Sequence, residues 1–380
     1  MVGESYCVIF LQHLIMGVWT NWFRLFFYTK SRRDFVAFVI FSLNLFLCLI
    51  AGGVVGRKKL RKMQKLLFWI LWGSMYVVSL LPRRVFYILS DICAFFLNLF
   101  GYRRSVIDVN MARSFPQLKY GEIKRLRKGY YRYMLDLTFE SIWAITASQK
   151  EICEVISVPD RSVMDDLCSR YPKMVVVVGH VGNWELFGGV TGPGGASATG
   201  GFALHNIYLS YKRAKNKAFD AFFVKMRMLA FRKSGNGGHI LESKSIVRHI
   251  LKDRKATGLY IFIADQSPKD ERVVVKFLNQ PTLMLAGAEY VASRLGIPMV
   301  YMGIDRVARG KYEIRFKLIE ENTKGVEHGE LTRRFACYLQ EDIFANKVNW
   351  LWSHKRWKRD FLPQEADEYE RIYGTRPFVN

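Results

Sequence analysis

Residues 173–189 read KMVVVVGHVGNWELFGG, and they restrict the fold of this chain more than any other stretch. Val175, Val176, Val177 and Val178 form an unbroken β-branched apolar run, the pattern of a strand covered on both faces. Gly179 breaks the strand and His180 follows at once. Asn183, Trp184, Glu185 and Leu186 then have the composition of a first helical turn with Asn183 as its N-cap. Positions five apart on one straight helix point about 140° away from each other. His180 and Glu185 therefore meet only if the histidine lies in the turn before the helix. That arrangement sets an imidazole at the carboxyl edge of a sheet, where open α/β folds place their sites. Glu185 is expected to hold one ring nitrogen and leave the other as a base.

Composition bounds the partners. The formal net charge of +24, from 57 basic and 33 acidic residues, calls for an anionic partner such as a phosphate-rich membrane surface, an acidic protein or nucleic acid. Half the residues are hydrophobic, so the chain is not a disordered one, and the apolar N-terminal third argues against a nucleic-acid adaptor. The six cysteines are scattered without a Cys-x-x-Cys pair and read as buried free thiols, not as a zinc site or a disulfide framework.

The N-terminal hundred residues are the most apolar. Residues 35–56 are an uncharged run long enough to span a bilayer, followed by Arg57, Lys58, Lys59, Arg61, Lys62 and Lys65. The positive-inside rule then puts the C-terminal side in the cytoplasm. No small-residue cleavage site follows this run or the apolar residues 6–23, so a cleaved signal peptide is not expected. Residues 66–81 and 85–100, the latter interrupted by Asp91, are short for spans and suit helices lying in one leaflet, with Trp69, Trp72, Tyr76, Arg83 and Arg84 at headgroup level. Two buried helices of a soluble core are the other reading of these runs.

From Tyr102 onward, strand and helix patterns alternate in the manner of one α/β domain. Helices are expected at 103–115 and 120–147, strands at 204–209 and 260–264, a helix through 220–227, a sheet strand at 273–277 and a helix at 283–295. The glycine-rich stretch 188–201 lacks the Gly-Lys-Ser/Thr ending of a phosphate loop and reads as a loop.

Written as His-Val-Gly-Asn-Trp-Glu behind a valine strand, the central motif resembles the first block of the lysophospholipid acyltransferase superfamily, and within it the late lauroyl and myristoyl acyltransferases of lipid A biosynthesis. Arg103-Arg104, Asn110, Ser114-Phe115-Pro116 and Glu140 match that family's recognition marks, and Asp265-Gln266 its third block. Pro298 leading a strand matches its fourth, and residues 349–358, NWLWSHKRWK, its C-terminal signature. The resemblance covers residues 63–359. It implies an acyltransferase domain at 102–360, with a central mixed sheet flanked by helices, preceded by membrane-associated helices at 63–101. An extension at 1–62 and a tail at 361–380 lie outside that body.

The resemblance further implies direct acyl transfer from an acyl carrier protein thioester, or acyl-CoA, to a hydroxyl of a lipid A precursor at the bacterial inner membrane, with the domain facing the cytoplasm. His180 and Glu185 are the catalytic pair it implies. Asn183, Trp184, Lys212, Arg213, Arg227, Asp265 and Gln266 line the substrate site, with Arg227 facing the reacting carbonyl or a substrate phosphate. Lys212 stands where the family usually has Arg, trading a bidentate fork for a point charge. No metal or cofactor is implied, and without a Gly-x-Ser-x-Gly elbow no acyl-serine is expected. His354 is expected to be structural. The same motifs would serve an acyltransferase acting on another glycolipid or aminolipid. A basic membrane adaptor without activity would share the charge.

Overall fold

The computed structural model describes residues 57–191, 206–214, 216–233, 238–252, 257–268 and 272–377. The candidate span at 35–56, the run at 6–23 and most of the glycine-rich loop lie outside the described residues. In chain order the elements are α1 (Arg57–Ser79), α2 (Arg83–Phe100), α3 (Arg104–Ser114), α4 (Tyr120–Trp143), α5 (Gln149–Val155), β1 (Ile156–Ser157), α6 (Ser162–Arg170) and β2 (Lys173–Val178). A 3-10 helix (Trp184–Val190) precedes β3 (Asn206–Tyr211), α7 (Lys217–Lys233), β4 (Gly238–Glu242), α8 (Ser243–Lys252) and β5 (Gly258–Ile263). The remainder is β6 (Arg272–Phe277), β7 (Gln280–Leu285), α9 (Gly287–Leu295), β8 (Met299–Ala308), β9 (Lys311–Glu320), α10 (Glu330–Ala345) and α11 (Pro363–Tyr373).

Seven strands make one sheet in the order β1-β9-β8-β2-β5-β3-β4. The valine strand lies inside it, parallel to β5 on one side and to β8 on the other, and every residue of β2 is buried. β9 runs antiparallel to β8, with β1 parallel to β9, so the sheet is mixed, as the resemblance implied. The alternation along the sequence thus ends in one α/β body whose largest apolar cluster runs from α2 to Trp352.

Two elements depart from expectation. Residues 273–277 do not extend the sheet but pair antiparallel with β7 as a separate hairpin. The hairpin turns through Leu278 and Asn279, both at positive φ (51° and 61°). Two such residues make the tight turn that suits the twist of paired strands, and Leu-Asn is not the Asn-Gly signal by which such turns are recognised. In consequence the helix expected at 283–295 starts only at Gly287.

At the N-terminal side, no single described helix is long and apolar enough to cross a membrane, but Gln64–Ser79 and Arg83–Phe100 pass that test as a pair bent by 111°. α2 is apolar on two sides. Phe86, Ala94 and Leu97 face the core, while Ile88, Ile92, Phe95 and Leu99, spaced by three and four residues, are exposed. Asp91, the charge within this run, is spoken for by Arg309 and Arg132. Next to it Ser90 donates to Asp136 (2.6 Å), a fully buried carboxylate that also receives Arg306 and Arg309. This network ties α2, α4 and the β8–β9 turn together. Gly101, left-handed at φ 66°, ends α2.

The turn after β2 is shaped by Gly182. Its φ is +60°, and a Cβ there would overlap the Ile304 side chain and stand 2.7 Å from the Ile304 carbonyl oxygen. Its N–H donates to Asn349 Oδ1 (3.0 Å), and its carbonyl accepts from the Tyr133 hydroxyl (3.2 Å). Gly182→Ala combines left-handed strain with overpacking, each worth roughly 1–3 kcal/mol. Urea unfolding should show a loss of at least about 1 kcal/mol; an unchanged midpoint would mean that the turn has room the structure does not display.

Candidate active site

Strand register explains how the site is assembled. Val178 is paired with Ile263 across β2 and β5, so His180 and Asp265, each two residues past that pair, come together at the carboxyl edge of the sheet. Their contact is close: His180 Nδ1 lies 2.5 Å from Asp265 Oδ1, and the His180 backbone N–H donates to Asp265 Oδ2 at 2.8 Å. Trp350 Nε1 adds a third hydrogen bond, to Oδ2 at 2.9 Å. Both side chains are almost completely removed from water. Burial pushes the Asp265 carboxyl up, but the His180 charge and the bonds from His180 and Trp350 outweigh it and hold the group at about 2. An ionised carboxylate at this distance accepts from a proton on Nδ1, and in the neutral imidazole that tautomer carries its lone pair on Nε2. Gln266 Nε2 lies 3.2 Å from it, and the Trp184 ring meets the imidazole edge-on with centroids 4.9 Å apart.

Glu185 does not hold His180. The residues after Asn183 wind as a 3-10 helix, and Asn183 makes no side-chain cap. Glu185 instead takes Arg227 in a two-point pair, Nε to Oε2 at 2.7 Å and Nη2 to Oε1 at 2.5 Å, with both side chains buried. The expected histidine–glutamate contact is thus replaced by histidine–aspartate, because register delivers Asp265 to the ring while the tight winding carries Glu185 toward α7. Arg227 is correspondingly committed to a carboxylate. The pair borders a water-sized cavity of about 20 Å³ whose other walls include Val178, Trp184, Phe187, Leu209, Phe231 and Ile263. A buried two-point pair of this kind fixes geometry, and removing one partner strands the other charge. α7 is itself anchored on α1: Lys225 sits over the Trp72 ring at 4.1 Å, and Phe222, Phe223 and Met226 share an apolar cluster with Leu71.

Asn183 points away from the dyad. Its amide donates to Glu140 Oε2 (2.8 Å), where Tyr312 also donates (2.8 Å), and Tyr87 donates to Oε1 (3.0 Å). Glu140 is wholly buried, and burial raises its pKa against the lowering effect of Asn183 and Tyr312. The other recognition marks are also structural ties. Asn110 Nδ2 donates to the carbonyls of Trp352 and His354, both at 2.8 Å, and Arg103 donates to that of Ser353 at 2.9 Å. Ser114 receives Asn279 and Gln280 from the β6–β7 turn. These residues clasp the C-terminal signature and the hairpin onto the domain.

Of the nine residues the sequence pointed to, His180, Asp265, Gln266 and Trp184 converge, and Glu185 with Arg227 forms an adjoining pair. Asn183 belongs to the floor of the turn. Lys212 and Arg213 are exposed at the end of β3, and Arg213 stands 3.7 Å from Glu242. Two contributors were missed by sequence reasoning. The orienting role of Asp265 was signalled by two buried strands that each end, two residues on, in a polar side chain. The Trp350 bond to Asp265 spans 85 residues and has no local signal.

A buried carboxylate–imidazole pair at the carboxyl edge of an α/β sheet is an arrangement suited to general-base chemistry. The model of the bacterial lipid A biosynthesis acyltransferases matches residues 55–359, so the chain belongs to that family and is an acyltransferase. No curated protein matches the chain.

Asp265→Asn keeps the shape but removes the charge that orients Nδ1–H. It should lower acyl transfer by roughly 10² or more, within the range a positioned base contributes; a rate within threefold of wild type would remove Asp265 from the role given to it here.

The acid side of stability has a definite sign. Burial first, then the charges of Arg356, Lys358 and His180, lower the His354 pKa to about 3, so a neutral His354 contributes stability that is present above about 6.5 and lost as pH falls toward 3. Asp265 contributes stability present above about 3.9 and lost as pH falls through about 2. Urea midpoints should therefore fall continuously below pH 6.5. His354→Gln should flatten the part between pH 6.5 and about 4, and an identical profile would exclude His354 as its source.

Proposed function

We propose that this acyltransferase moves a fatty acyl chain from an acyl carrier protein thioester to a hydroxyl of a lipid A precursor, with His180 as the general base. The observation that carries the reading is the His180–Asp265 pair in register at the ends of adjacent parallel strands, in a chain of this family. An alcohol is a poor nucleophile at neutral pH. As its oxygen bonds to the thioester carbonyl carbon, its proton passes to Nε2, and Asp265 supports the imidazolium that forms. Collapse of the tetrahedral intermediate breaks the carbon–sulfur bond, and the departing thiolate takes the proton from Nε2. The Gln266 amide, 3.2 Å from Nε2, occupies the position the hydroxyl must take. Asp265 here has the supporting role that the sequence gave to Glu185. The Glu185–Arg227 pair holds the wall of the adjoining cavity.

The exposed apolar stripe on α2, together with exposed Leu66, Trp69, Tyr76, Val77 and Leu80 on and just after α1, supports seating of this bent pair in one leaflet of a membrane, which for the substrates proposed is the bacterial inner membrane with the domain on its cytoplasmic side. Both proposed substrates are anionic, in keeping with the net charge of +24.

His180→Ala should reduce single-turnover transfer of labelled acyl chain from the carrier thioester by about 10²- to 10⁴-fold, with fold and membrane association intact. Retention of more than a tenth of the rate would remove His180 from the chemistry. Arg227→Ala leaves Glu185 buried without its partner, a change worth about 3–5 kcal/mol, so it should lower thermal stability along with turnover, and Glu185→Gln/Arg227→Met should recover much of the stability. Loss of turnover without loss of stability would instead put Arg227 on the substrate. A chain beginning at Met63 should sediment with membranes; its recovery as a soluble monomer without detergent would rule out anchoring by the bent pair.

A further inference from the structure

The cations available to a phosphorylated acceptor are not those the sequence singled out. Arg227 is engaged at two points by Glu185, and Arg213 leans toward Glu242. A different basic group gathers where the C-terminal signature leaves the dyad. Partial burial of Lys358 lowers its pKa, and the charges of Arg359, Lys212, Arg103 and Lys355 lower it further. Arg103 donates to the Ser353 carbonyl at 2.9 Å, and Lys355, Lys358 and Arg359 follow within six residues on the same segment. Lys355, Lys358 and Arg359 form no ion pair with a carboxylate among the described residues.

Buried donors point the same way. His354 Nε2, Arg356 Nε, Trp357 Nε1 and Arg359 Nε are shielded from solvent and meet no hydrogen-bond partner among the described residues. Arg356 is otherwise spent inward on Thr282 and the Leu283 carbonyl, which leaves His354 Nε2, Trp357 Nε1 and Arg359 Nε as unsatisfied buried nitrogens in the segment that carries the exposed lysines, and buried polar groups are ordinarily satisfied. His354 itself is nine-tenths buried.

The segment is also held in place. Asn110 and Arg103 grip its carbonyls at 352, 353 and 354, and the Tyr130 hydroxyl donates to Ser353 Oγ at 2.8 Å. It is tied to the chemistry as well, because Trp350 bonds Asp265 and His354 lies in the field of both His180 and Asp265.

We propose that Lys355, Lys358 and Arg359 form a phosphate site that receives a phosphomonoester of the glycolipid acceptor and so places its hydroxyl against His180. The inference rests on the acceptor class proposed above and adds the site that reads its charge. Arg359 offers a fork to two phosphate oxygens, and the lysines act as point charges around it.

The test uses the full chain in detergent. Lys355 and Lys358 are exposed, so Lys355→Gln/Lys358→Gln leaves the packing alone, and Arg359→Gln serves as a second variant. Inorganic pyrophosphate should raise the melting temperature of the wild type by mass action and leave that of the double variant unmoved. In steady-state transfer, KM for a phosphorylated glycolipid acceptor should rise at least tenfold in each variant, while KM for the carrier thioester changes less than twofold. With the dephosphorylated acceptor, wild type and variants should have the same KM. A rise confined to the thioester KM would place the carrier's phosphodiester at these cations and overturn the proposal, as would an equal pyrophosphate shift in wild type and variant. Transfer with an unmoved acceptor KM would remove the site and leave the proposed function standing. Failure of the wild type to acylate any phosphorylated glycolipid would overturn both.

Discussion

The parallel pairing of β2 with β5 is the constraint on which the site depends. It aligns Lys173 with Gly258 and Val178 with Ile263, and one residue of slip in either direction would turn the side chains at the strand ends to the opposite face. The six buried residues of β2 make such a slip expensive, since each valine is packed on both sides of the sheet. Two chain segments far apart in sequence thereby deliver an imidazole and a carboxylate to one point without any local motif linking them. An imidazole oriented in this way is set by the hydrophobic core and needs no flexible loop to find its partner.

The fold was largely legible because its signals are local. Four consecutive valines, Pro298 before a buried strand and the periodic apolar positions of 120–143 each declare their element within a few residues. The hairpin was misread because its turn uses Leu278 and Asn279, residues that seldom adopt left-handed backbone and so leave no sequence mark. In the site, His180 was readable from its place after the strand. Its partner was not, because Glu185 is five residues away and Asp265 is 85, and only the sheet decides which reaches the ring. Asp265 was visible as a polar residue at a strand end, but its bond to the histidine belongs to register, which a single sequence does not spell out.

Charge is distributed by depth. Inside, each buried carboxylate described in the site has its donors: Asp265 with His180 and Trp350, Glu185 with Arg227, Glu140 with Asn183 and two tyrosines, and Asp136 with Ser90 and two arginines. These groups are fixed, and their desolvation is offset by multiple short hydrogen bonds. Around the C-terminal signature the balance is reversed, with ammonium and guanidinium groups outnumbering carboxylates. The interior polar groups build the apparatus, while the outer cations set the charge of the surface beside it.

Asn349 grips the turn at Gly182 across 167 residues, and Trp350 completes the bonds on Asp265 from the same late segment. During synthesis the valine strand, the histidine and the aspartate all leave the ribosome well before these two residues exist. A nascent chain can assemble the sheet yet lacks the side chains that lock the glycine turn and complete the donors on Asp265. The finished arrangement is thus deferred until almost the whole chain has been made, and a truncated translation product would carry the core strands without those two ties.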